Sequence, residues 1–209
     1  MIVRIQISVD DGTKDDIRIA RLCEKYGVDC TFYLPVDIVG VCLQKGWEPL
    51  KPQDEEYIAR NFEIGSHTIT HRHLTQIPIE EAIEEIKDSK TILENKYDQN
   101  ITKFCYPRGY ANETLKKVVE KSGYTYARST AIGHIGEPDD PLFASTAVHM
   151  GCPVREEYKG STWLDYGLEL LDKAREEDKD FEAWCHSWEL TRYNEWKNVE
   201  LFIKELARG

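Results

Sequence analysis

Short runs of β-branched and aromatic residues recur along this chain. Most are closed by glycine, proline or aspartate, and most are followed by a stretch with helical spacing. This alternation is the strongest constraint on the fold. It predicts strands over residues 2–9, 31–34, 62–64, 103–106, 124–128, 142–150 and 181–186. It predicts helices over 15–26, 54–61, 78–97, 113–122, 161–177 and 195–207, with Asp54 and Asn112 as caps. Residues 36–52, with two glycines, two prolines and Trp47, read as loop and a short helix. Strands alternating with helices favour parallel β–α units. With 209 residues, one closed or nearly closed β/α barrel spanning 1–209 is the expected architecture.

In such barrels the reacting groups sit at the C-terminal ends of strands. Asp10-Asp11-Gly12 follows the first predicted strand, His67 and His71 the third, Pro107-Arg108-Gly109 the fourth, and His186 ends the last. Two imidazoles four residues apart can reach one zinc-like ion from a helical turn. Two ordinary turn histidines are the plainer reading. Thr68 stands where an H-E-x-x-H protease would carry its glutamate base, so a base has to come from elsewhere. Adjacent carboxylates repel unless a cation or proton lies between them. One of Asp10 and Asp11 could ligate a metal while the other takes a proton. Alone, Asp-Asp-Gly reads more simply as a loop capping the next helix. His186, within Trp184-Cys185-His186-Ser187-Trp188-Glu189, could be a general acid near neutral pH, or a core histidine held by one hydrogen bond. Arg108 reads as a loop residue, His73 is expected to point away, and His134 and His149 carry no supporting pattern.

Composition narrows the function. A net charge of -11 argues against nucleic-acid binding, which needs a basic footprint. The acidic runs 80–85 and 176–180 read as solvated helix faces. No apolar run approaches a membrane span, and the alternating N-terminus does not look like a signal peptide. The six scattered cysteines, without a C-x-x-C pair, read as reduced thiols in a cytoplasm.

Taken together, the order of motifs resembles the polysaccharide deacetylases of carbohydrate esterase family four, the NodB-homology domains. Ser8-Val9-Asp10-Asp11-Gly12 is similar to their T-F-D-D-G, and His67-Thr68-Ile69-Thr70-His71 to their H-[ST]-x-x-H. Phe62-Glu63-Ile64-Gly65-Ser66 and Thr31-Phe32-Tyr33-Leu34 also match the family context, and Phe104–Gly109 and His186 resemble its third and last motifs. The resemblance implies a distorted (β/α)7 barrel holding one divalent metal, usually zinc, on Asp11, His67 and His71. It implies Asp10 as general base, His186 as general acid and the backbone N–H of Arg108 as an oxyanion donor. The implied substrate is an N-acetylated sugar or polysaccharide precursor. Cyclic amide hydrolysis, or a non-catalytic carbohydrate-binding or assembly role, are the alternatives. Cys105 stands where the family often has a base-orienting arginine, for which Arg108 or Arg128 could substitute. The fourth-motif aspartate has no match, and Glu189 is the candidate replacement. Trp188, Tyr193 and Trp196 could stack on sugar rings or simply pack the last helix.

Overall fold

The computed structural model describes residues 4–208. Its seven strands are β1 (Ile5–Asp10), β2 (Asp29–Leu34), β3 (Glu63–Ser66), β4 (Lys103–Cys105), β5 (Tyr126–Arg128), β6 (Val148–His149) and β7 (Phe181–Cys185). All pair in parallel, in the order β5-β4-β3-β2-β1-β7-β6. The helices are α1 (Asp16–Tyr26), α2 (Ile38–Lys45), α3 (Pro52–Asn61), α4 (Ile79–Tyr97), α5 (Glu113–Lys121), α6 (Trp163–Glu176), α7 (Ser187–Arg192) and α8 (Trp196–Leu206). The result is a curled, distorted (β/α)7 barrel.

The expected elements are present, with shifted ends. Residues 2–3 of the first predicted strand lie outside the described residues. The strand expected over 142–150 is the largest miss. Only Val148–His149 joins the ladder with β7, while Ala144 makes an isolated parallel bridge to Arg128. That segment spans the seam between the two edge strands. Ala144 N–H donates to Ala127 O at 2.8 Å, and Ala147 N–H to Glu182 O at 2.8 Å. Pro141 and several turns interrupt the pattern, so apolar content there reports burial rather than strand. Helix α3 begins two residues earlier than predicted. Its N-cap is Lys51, with Pro52 at the first helical turn, so Asp54 is a first-turn acid rather than the cap. Asn112 does cap α5, accepting from Leu115 N–H at 2.9 Å. Residues 187–192, unassigned in the sequence, form the short helix α7.

Strand parity divides the molecule into two environments. Outward residues such as Ile7, Val9, Phe32, Leu34, Phe104, Phe181 and Ala183 are buried beneath the helices and form the apolar core. Residues of the other parity enter the barrel and are mostly polar or aromatic. Glu182 accepts from Gln6 Nε2 (2.9 Å), Ser8 Oγ (2.7 Å) and Tyr126 OH (2.7 Å). Above it lies Arg128, 0% exposed, with its Nε–H donating to Ser8 Oγ at 3.1 Å. The guanidinium is sandwiched between the rings of Tyr33 and Trp184, 4.9 Å from each centroid. Gly65 permits this, because a Cβ there would sit 2.4 Å from the Tyr33 ring. We expect Gly65→Ala to destabilise the protein by about 1–3 kcal/mol through that overlap, read as a lower urea midpoint with unchanged slope.

Candidate active site

The strands end nearly level, which gathers the site. Val9 is in register with Cys185, Asp10 with Tyr33, Leu34 with Ser66, and Cys105 with Arg128. Asp10, Asp11, His67, His71 and His186 therefore meet at one mouth, although as many as 176 positions separate them.

Asp10 ends β1 and is buried. Its Oδ1 is paired with Arg128 Nη2, and Cys105 Sγ donates to its Oδ2 at 3.5 Å. Burial opposes ionisation of this carboxyl, yet Arg128, His67 and His186 hold it below the ordinary range. Arg128 reaches Asp10 from β5, not from the β4 position that Cys105 occupies. Removing one partner of such a buried pair costs about 3–5 kcal/mol, because the other charge is left uncompensated.

Asp11 takes a left-handed conformation (φ 84°), which turns its side chain toward the histidines. Its Oδ1 lies 3.6 Å from His67 Nε2 and 3.3 Å from His71 Nε2, and its Oδ2 lies 3.6 Å from His186 Nε2. Trp188 Nε1–H donates to Oδ2 at 3.1 Å. Oδ1 is buried with no hydrogen-bond partner.

The segment carrying His67 and His71 is not the helical turn expected from its spacing. Thr68 (φ 68°) and His71 (φ 56°) are left-handed, rare for a β-branched residue, and hydrogen bonds hold the loop there. His71 N–H donates to Thr68 Oγ1 at 3.0 Å, Val36 N–H to Thr68 O at 3.0 Å and Asp37 N–H to Ile69 O at 2.9 Å. Glu85 of α4 accepts from Ile69 N–H (2.8 Å) and Thr70 N–H (2.9 Å). Glu85 is only 6% exposed, so it departs from the solvated face expected for the 80–85 run.

A contact from β4 orients the His67 ring. His67 Nδ1 lies 2.8 Å from Cys105 O. A carbonyl only accepts, so Nδ1 carries a proton and Nε2 is the ring nitrogen that faces Asp11. Burial pushes His71 down to about 4, with His67 adding to the effect, so it is neutral at physiological pH. Two imidazoles and a carboxylate oxygen converge around one point, and that oxygen has no hydrogen-bond partner. This donor set fits a divalent cation such as zinc. Two other groupings are close enough to consider, and they fit less well. In Asp10–His67–Cys105, burial holds the thiol far above its normal range, so it stays a donor to Asp10, whose other oxygen belongs to Arg128. In His149–His186–Glu189, one carboxylate oxygen already accepts from both rings.

That last cluster lies behind the general-acid candidate. His186 Nδ1–H donates to Glu189 Oε2 at 2.9 Å. Burial opposes the charge on His186, but Asp11 and Glu189 outweigh it and hold the imidazolium up to about 9. Glu189 also accepts from His149 Nε2–H at 2.7 Å, and burial pushes His149 down to about 4. Its ring stacks on Trp184, with centroids 3.7 Å apart. Sequence reasoning assigned His149 nothing, since no local motif accompanies it. Of the three candidate aromatics, Trp188 stands at the site, stacked on Trp47 at 4.6 Å. Trp196 packs under Arg18 and bonds Thr191, away from the cleft. Arg108 sits at the mouth in a left-handed conformation (φ 61°), with an exposed side chain. His73 stacks on Tyr110, and His134 bonds Glu137 O; neither joins the cluster.

Comparison with known proteins identifies the class. The polysaccharide deacetylase family model matches residues 3–127, more than half of the chain, and the protein belongs to that family. It is 30% identical over 130 residues to the putative polysaccharide deacetylase YxkH of Bacillus subtilis, covering 62% of this chain but 45% of that relative's length. The fold is shared with a putative polysaccharide deacetylase from Mycobacterium smegmatis (TM-score 0.68, 16% identity, 99% and 84% of the two chains). It is also shared with the Streptococcus pyogenes deacetylase PplD (TM-score 0.60, 22% identity, 68% and 62%). No helix among the described residues is long and apolar enough to cross a membrane.

The buried Glu85 clamp gives a direct check. Glu85→Gln removes one acceptor from the loop that aims His67 and His71. We expect zinc affinity, measured by competition with a chromogenic chelator, to fall about 10–100-fold.

Proposed function

We propose that residues 1–209 act as one metal-dependent hydrolase that removes N-acetyl groups from a sugar or polysaccharide precursor. The observation that carries this reading is the Asp11 hub, where an unpartnered carboxylate oxygen and two Nε2 atoms converge beside an ionised Asp10 and a protonated His186. A divalent cation on Asp11, His67 and His71, most simply Zn2+, would supply the Lewis acidity that activates water and polarises an acetamide carbonyl.

The chain's own residues supply the proton transfers. Asp10, kept anionic and oriented by Arg128, takes the proton of the attacking water. The backbone N–H of Arg108 donates to the carbonyl oxygen as it gains charge. His186 delivers its Nε2 proton to the departing amine nitrogen, without which the amine leaves poorly. Glu189 holds the ring through Nδ1 and favours its cationic form. Arg128 and Glu189 thereby take the parts of the arginine and aspartate that the family resemblance leaves missing. The free thiols are compatible with a reducing, cytoplasmic setting.

A non-catalytic reading draws support from Cys105 and from a fold relative, a BA3943 mutant described as a family-four pseudoenzyme (TM-score 0.60, 15% identity, 97% and 62% of the two chains), although another mutant of BA3943 is described as having restored enzymatic activity. The Arg128 guanidinium on Asp10 weighs against it. The test is acetate release from a panel of N-acetylated oligosaccharides with and without zinc. Zinc-dependent release supports hydrolysis. Stoichiometric zinc without release from any acetylated or amide substrate contradicts it. We expect Asp10→Asn to retain zinc and lose at least about 100-fold in kcat. For Glu189→Gln, loss of the negative partner lowers the pKa of His186. The acid must be protonated to donate, so the alkaline limb of the kcat profile should move to lower pH by roughly one unit.

A further inference from the structure

Beside the metal-site candidates runs a cleft of about 310 Å³ whose wall includes His71 and Arg108. Both belong to the reacting site proposed above, so a glycan with its acetamide there places a neighbouring sugar in this cleft. The cleft's charge is out of character for the chain. The protein carries a net charge of -11, yet no aspartate or glutamate lines this cleft, while Lys45, Arg72 and Arg108 do. Four other clefts among the described residues each have at least one carboxylate in the wall.

The cations are available for a ligand. Lys45 is the last residue of α2, is exposed, and makes no ion pair among the described residues. The same holds for the Arg108 side chain. Arg72 is paired through Nη1 with Glu81, which leaves the other edge of its guanidinium fork open. His73, also in the wall, stacks on Tyr110 at 4.8 Å, and Tyr110 is 58% exposed. An aromatic plate beside cations suits a ring with one apolar face and an acidic substituent.

We propose that this cleft is a subsite for an anionic sugar, and that the substrate is an acetylated glycan carrying a carboxylate on the residue next to the acetamide. The inference rests on the hydrolase reading for its placement, but the binding it describes can be measured separately. Lys45 and Arg72 set specificity here and take no part in the proton transfers.

The test compares two oligosaccharides that present the same N-acetylglucosamine group. One is a hyaluronan tetrasaccharide, which alternates with glucuronate, and the other is neutral tri-N-acetylchitotriose. Both binding, by calorimetry, and acetate release are measured on the zinc-loaded full chain, on Lys45→Gln/Arg72→Gln and on Lys45→Glu. The wild type should bind the acidic oligosaccharide roughly tenfold tighter than the neutral one, with a preference that shrinks as salt rises. The double variant should lose that preference through the acidic ligand alone, by KM rather than kcat, and Lys45→Glu should weaken acidic binding further. Equal binding of the two by wild type, or a preference that survives both variants, overturns the subsite. Acidic binding that depends on Lys45 and Arg72, with no acetate release from these ligands or from the wider panel of acetylated and amide substrates, keeps the subsite and rejects the hydrolase reading.

Discussion

Two carboxylates adjacent in sequence, both buried at the mouth of one barrel, impose the condition that the rest of this structure meets. A buried carboxylate needs a compensating partner, and two side by side need one each. The chain divides the task. Asp10 receives a full positive charge from Arg128, itself locked between two aromatic rings and tied to β1 through Ser8. Asp11 receives an indole N–H and the edge of His186, while its other oxygen faces two imidazole nitrogens and has no hydrogen bond. That imbalance is the physical reason for placing a cation on Asp11 rather than on Asp10.

The barrel makes this economical. Strand parity sends Ser8 and Asp10, Cys105, Arg128, Glu182 and Trp184 into one interior, so a column of polar contacts runs from Glu182 through Arg128 to Asp10. The same parity turns Ile7, Val9, Phe32 and Phe104 outward beneath the helices. Stability and site chemistry thus occupy opposite faces of the same strands. The loops then need few devices of their own: Glu85 clamps one, and Glu189 with His149 braces another.

Much of this was legible in sequence because it is periodic or local. The alternation of strand and helix, and the placing of Asp10, Asp11, His67, His71 and His186 at strand ends, follow from short-range pattern. Other features depend on register between distant strands, which no local pattern encodes. Arg128 meets Asp10 only because β5 and β4 end level with β1, and His149 meets Glu189 across the β6–β7 edge. Glu85 looked like any exposed helical acid, since the loop it clamps lies 15 residues away in sequence. The four-residue spacing of His67 and His71 suits a helical turn, but left-handed backbone at Thr68 and His71 makes the segment a loop.

The family match ends at residue 127, one position before Arg128 and well before His149, His186 and Glu189. The recognisable half therefore carries the ligand candidates, and the remaining half carries the groups that would tune base and acid. The most direct measurement is a crystal structure of the zinc-loaded protein with anomalous scattering at the zinc edge. The account predicts one dominant peak within about 2.2 Å of Asp11 Oδ, His67 Nε2 and His71 Nε2, with Asp10 still on Arg128. A dominant peak on Asp10, His67 and Cys105, or on His149, His186 and Glu189, would contradict it.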